Sequence, residues 1–74
     1  MLRPRQKDTL NAIKNLTQSQ GYPPTIREIA AAISVSSAAT AHSFVKQLEK
    51  IGYIENGGNP RTIRVVRDPD EDIK

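Results

Sequence analysis

Residues 25–54, TIREIAAAISVSSAATAHSFVKQLEKIGYI, carry the tightest local constraints in the chain. Thr25 and Glu28 form a T-x-x-E pattern, in which the threonine hydroxyl accepts from the backbone N–H three residues on and the carboxylate accepts from the N-cap N–H. A helix therefore starts at Ile26. Ile26, Ile29, Ala30 and Ile33 recur at i, i+3, i+4 and i+7 and make one apolar stripe. The pattern breaks at Ser34-Val35-Ser36-Ser37, because serine hydroxyls compete for backbone donors and can cap a new helix. A second helix is expected over Ala38–Lys50, stopped by Gly52, a residue that takes the left-handed conformation after a helix without steric cost. Two helices joined by three or four residues make a helix-turn-helix.

The second helix divides by face. At roughly 100° per residue, Ala41, Phe44, Val45 and Leu48 share one arc, and Ala39, His42, Ser43, Lys46 and Lys50 share the other. The outer face of its first turns is small, polar and basic. A major groove asks for that combination: short side chains that let the axis approach, hydrogen-bonding groups for base edges, and cations for phosphates. An ordinary amphipathic helix with a solvated polar face fits the same pattern.

The flanking segments read as support. Pro4 suits a first helical position, where its missing N–H is no loss, although Arg3 is a poor N-cap and fraying is expected there. Leu10, Ile13 and Leu16 repeat at helical spacing up to about Gln20, and Gly21 stops this first helix. Tyr22-Pro23-Pro24 is an extended connector, with Tyr22 expected to plug the core edge. After Gly52 the period changes to that of strands. Residues 53–56 and 62–66 read as short strands around a loop at 57–61, rich in turn residues. Ile63 and Val65 then face the helices, and Arg61 and Arg64 point outward. The fold class is mainly α with a small β-hairpin, a three-helix winged helix-turn-helix.

Charge follows the same division. The net charge is +3, but residues 1–67 hold ten Lys/Arg against four Asp/Glu, a net +6, whereas 68–74 hold four acids and one Lys, a net −3. A basic body fits a polyanion partner. We assign 1–67 to one domain and expect 68–74 to be a disordered acidic tail or the start of a linker. The chain has no cysteine, one histidine and no Ser/His/acid or Glu/His grouping at ligand spacing, so neither nucleophilic nor zinc chemistry can be assembled. No metal, cofactor or catalytic residue is expected. No apolar run approaches the ~18 residues needed to span a bilayer, and a cytoplasmic protein is expected.

Five segments together carry a resemblance: RQ at Arg5-Gln6, GYPPTIREIA at 21–30, SSAATAH at 36–42, KQLEKIGYI at 46–54 and PRTIRVV at 60–66. Over 5–66 the chain resembles the N-terminal DNA-binding domain of the SOS repressor LexA family. The resemblance implies a winged helix-turn-helix that binds an operator half-site in double-stranded DNA as a bacterial or phage-encoded, nucleoid-associated repressor of the DNA-damage response. Position by position, it puts base-reading residues at Ser37, Ala39, Thr40, His42 and Ser43. Contacts to the DNA backbone are assigned to Arg27, Lys46, Arg61 and Arg64. The chain departs from the family at Ser34, where a glycine is usual, and at Phe44, where histidine is common. A serine held at positive φ costs roughly 1 kcal/mol, so the turn is expected to be strained or reshaped. The family's second domain, which dimerises and cuts its own linker with a Ser/Lys dyad, has no counterpart in these residues. The chain alone is therefore expected to be a monomer that pairs on two half-sites through a domain not present here. A winged-helix module that binds another protein, such as a repressor or replication component, is the competing reading.

Overall fold

A computed structural model describes residues 2–58 and 62–67. Helix α1 spans Pro4–Gln20, α2 Ile26–Ala32 and α3 Ala38–Lys50, followed by strands β1, Ile54–Glu55, and β2, Arg64–Val65. The strands are antiparallel, with Ile54 opposite Val65 and Glu55 opposite Arg64. Three helices and one small hairpin make the expected winged helix-turn-helix.

Local chemistry sets the helix limits. Pro4 opens α1 behind Arg3, whose side chain caps nothing, but the Arg3 N–H donates to Gln6 Oε1 at 3.0 Å. That reciprocal half of a capping box ties down the end that Arg3 leaves open. At α2 both halves form: the Glu28 N–H donates to Thr25 Oγ1 at 3.2 Å and the Thr25 N–H to Glu28 Oε1 at 2.8 Å.

Helices α2 and α3 end in the same way. After α3 the Tyr53 N–H donates to the Leu48 carbonyl at 3.0 Å and the Gly52 N–H to Glu49 at 3.1 Å, with Gly52 at φ 89°. After α2 the Val35 N–H donates to Ala30 at 3.0 Å and the Ser34 N–H to Ala31 at 3.3 Å, with Ser34 at φ 61°. Both are Schellman closures, which satisfy the last carbonyls through a left-handed residue. Ser34 thus keeps the turn that glycine would make and carries its strain. The Arg5 guanidinium braces the same turn by donating to the Ile33 carbonyl at 2.9 Å.

Leu10, Ile13, Ile29, Ile33, Ala41, Val45, Leu48, Ile54 and Ile63 form the centre of the core, drawing on all three helices and the hairpin. Each fully buried aliphatic side chain contributes about 1.5–3 kcal/mol. Leu16 only packs against this core from its edge. Thr9 is buried instead, its hydroxyl donating to the Arg5 carbonyl at 2.8 Å, which lets a polar side chain enter an apolar site without an orphaned group. Tyr22 does not plug the core edge: it is 47% exposed, and the fully buried neighbour is Pro24. The proline ring brings no N–H that would need a partner inside.

Candidate nucleic-acid interface

The α2–α3 unit is fastened to the core by its inner faces. Ala41, Val45 and Leu48 of α3 are fully buried and Phe44 packs against them half-buried. This leaves the other side of α3 open: Ser37, Ala39, Thr40, His42, Ser43, Lys46 and Lys50 are all exposed. Every residue assigned to base reading therefore lies outside the core, on one end of one helix. Ser37 stands at the N-cap with extended backbone, φ −115° and ψ 125°, but its side chain caps no backbone N–H. Its hydroxyl remains available to a partner outside the chain. The first turn of α3 has no acidic residue, so nothing offsets the positive end of the helix dipole there.

The cations differ in their surroundings. Arg27 is exposed in the first turn of α2 and lines one hollow with Val35, Ser36 and Ala38. Lys46 lies 3.9 Å from Glu49 one turn on, with side chains 62% and 34% exposed, a pairing worth little in water. Arg64 reaches across the hairpin and donates to Glu55 Oε2 from Nε at 3.2 Å and Nη2 at 3.0 Å. The pair is 69% and 60% exposed, so a phosphate can compete for that guanidinium, but only by displacing Glu55. Arg61 falls outside the described residues, as do 68–74. At the base of the wing, the Thr62 hydroxyl donates to Asn56 Oδ1 at 3.2 Å and accepts from the Gly57 N–H at 3.1 Å. The Gly58 N–H also donates to Asn56 Oδ1, at 3.1 Å. These bonds hold the entrance to the wing loop in place of longer strand pairing.

Gln47 joins the exposed face of α3 without having been singled out from sequence. It follows Ser43 by four residues, so helical spacing alone could have placed it there. Its partner could not be read: Gln6, in the first turn of α1, donates from Nε2 to Gln47 Oε1 at 2.7 Å. Among the described residues, no group of His, Cys, Asp or Glu could hold a metal ion, and no helix is long and apolar enough to cross a membrane.

A family model described as the LexA DNA binding domain matches residues 1–62. The chain belongs to the LexA DNA-binding domain family. Among curated relatives, the LexA repressor of Staphylococcus aureus (strain Newman) is 42% identical over 69 residues, which cover 92% of this chain and 33% of the relative. The LexA repressor of Desulforamulus reducens is 42% identical over 67 residues, covering 89% of this chain and 31% of that protein. The chain thus spans about a third of the length of these LexA repressors. The LexA match takes in all three helices and β1 and reaches Thr62, so it covers the whole helix-turn-helix and the first half of the wing.

Proposed function

We propose that this chain is the DNA-reading part of a LexA-like transcriptional repressor of the SOS type, binding an operator half-site in the bacterial cytoplasm. The observation that carries the reading is the split of α3: Ala41, Val45 and Leu48 are sealed in the core, while Ser37, Ala39, Thr40, His42 and Ser43 are exposed at its first turns, with Lys46 exposed next along the helix and Lys50 in its last turn. A helix of about 10–12 Å diameter fills a major groove about 12 Å wide. Small residues on its leading face, Ala39 and Ser43, let the axis come close. Thr40, His42 and the uncommitted Ser37 hydroxyl then supply hydrogen bonds to base edges, and Ala39 an apolar contact for a thymine methyl. Arg27 and Lys46 flank the groove as phosphate contacts, and the wing arginines Arg61 and Arg64 take the backbone on its far side. Pairing on two half-sites is assigned to sequence that the LexA repressors have beyond the stretch they share with this chain.

Selection of random duplexes bound by the chain tests this directly. A preferred half-site is expected, with affinity falling steeply as salt rises, by about one unit of slope for each phosphate contact. Binding that ignores both base sequence and salt would refute it. The alternative, a protein-binding module, draws on Tyr22, Ile51 and Val66, each about half exposed. Single exposed apolar residues are ordinary on a monomer surface, and a protein partner captured through them would be retained in high salt.

A further inference from the structure

We infer that Gln6, on α1, polarises the recognition helix from outside the helix-turn-helix: it fixes the Gln47 amide so that the pair Gln47 and Ser43 presents hydrogen-bond donors to the DNA. This rests on the proposed placement of α3 in the major groove and adds Gln47 to the reading face, with Gln6 behind it. The chain of bonds has a single polarity. The Arg3 backbone N–H can only donate, and it donates to Gln6 Oε1 at 3.0 Å, so the Gln6 NH₂ group must be the end that meets Gln47. It does so at 2.7 Å, on Gln47 Oε1. The Gln47 amide is thereby turned with its carbonyl toward α1 and its NH₂ toward Ser43, whose Oγ accepts at 3.5 Å. A hydroxyl that accepts from a neighbour has its own proton left to give. Backbone geometry at one end of α1 therefore decides the hydrogen-bonding sense of two exposed side chains on α3, 41 residues away in sequence.

The consequence is a specific base preference. A free glutamine reads adenine best, presenting carbonyl and N–H together to N6 and N7. Gln47 has its carbonyl end held against α1, so what it and Ser43 offer is N–H and O–H. Those donors suit guanine, with its two acceptors O6 and N7, or thymine O4, better than adenine, whose N7 acceptor stands beside the N6 donor. Gln6 is thus a positioning residue and Gln47 a specificity residue. Both are exposed or half-buried and outside the core, so replacing either leaves the packing intact.

The test is selection from random duplexes by the chain, by Gln6→Met, which keeps the length of the stem without an amide, and by Gln47→Ala, with thermal melts confirming that each is folded. The chain is expected to select guanine or thymine over adenine at one base pair of its half-site, by about fivefold or more. Gln47→Ala should level that position. Gln6→Met should admit adenine there and leave the other positions unchanged. If Gln6→Met does not fold, Gln6→Asn, one methylene too short to reach both partners, is scored the same way. An unchanged preferred sequence in Gln47→Ala, or in Gln6→Met while Gln47→Ala is levelled, would overturn the relay and leave the groove reading standing. A chain that enriches no sequence at all would overturn the groove reading itself, and the relay with it.

Discussion

Replacing Ser34 with glycine isolates the conformational cost of the turn between α2 and α3. Ser34 sits at φ 61°, is exposed, and takes part in the Schellman closure only through its backbone. A side chain in the left-handed region costs about 1–2 kcal/mol. Glycine removes that cost but loses more freedom on folding, about 0.5–1 kcal/mol. The net gain is therefore about 0.5–1 kcal/mol. In a domain of this size 1 kcal/mol moves Tm by about 4–8 °C, so Ser34→Gly is expected to raise Tm by about 2–8 °C. Urea unfolding followed by circular dichroism should show a higher midpoint at unchanged m value, the sign of a stability change without a change in exposed surface. Gly52→Ala is the mirror experiment. Gly52 has φ 89° and an added Cβ would meet no atom within 4 Å, so its expected net loss, about 0.5–1 kcal/mol by the same accounting, is conformational rather than steric. DNA affinity of Ser34→Gly should stay within about twofold, since the closure it relieves keeps its shape. A neutral or destabilised Ser34→Gly would show that the serine is not strained there, and the comparison of the two helix ends would fail.

Four further outcomes follow from the proposed interface. Thr40→Ala and His42→Ala should each lose about 1–3 kcal/mol on the preferred duplex and relax base preference locally, with unchanged melting temperature; a preserved preference in both would remove them from the reading face. Lys46→Ala and Arg64→Ala should weaken binding evenly across sequences and lower the slope of log K against log salt by about one each. Glu55→Gln should strengthen binding through release of Arg64, and weaker binding would count against a phosphate role for that arginine. Sedimentation of the free chain at up to hundreds of micromolar should give a monomer that occupies paired half-sites with little cooperativity, since a stable dimer would have to bury about 1,200–2,000 Å²; a tight dimer without DNA would contradict this.

Features whose causes lie within a few residues were legible in the sequence. The capping box at Thr25 and Glu28, the stops at Gly21 and Gly52, and the inner face of α3 all follow from local hydrogen bonding and helical period, and each is where the residues place it. At Ser34 the resemblance, through the glycine usual there, left a strained or a reshaped turn open, and the positive φ of 61° answers with the strained one. What failed depended on neighbours distant in sequence. Pro24 is buried and Tyr22, two residues before it, is not, and nothing local tells which ring enters the core. Thr9 is buried because a hydroxyl can bond its own helix, although the apolar period passed over it. The strands were read as four or five residues each, but only two pair on each side. The bonds of Asn56 and Thr62 take over from the ladder there. The Gln6–Gln47 bond joins two ordinary glutamines whose meeting is a property of the packed helices alone.

The closure after α3 has a mechanical consequence. Three residues separate the last turn of the helix from β1, and the last of them is tied on both sides: the Tyr53 N–H donates back to the Leu48 carbonyl, and its own carbonyl accepts from the N–H groups of both Val66 and Arg67. These bonds fasten the base of the hairpin to the end of the helix. On the proposed interface, helix and wing would behave as the two jaws of a fixed-gap caliper. A duplex whose groove-to-backbone distance differs from that gap would have to deform to fit, so the stiffness of the DNA between the two contacts becomes something the protein measures without touching it.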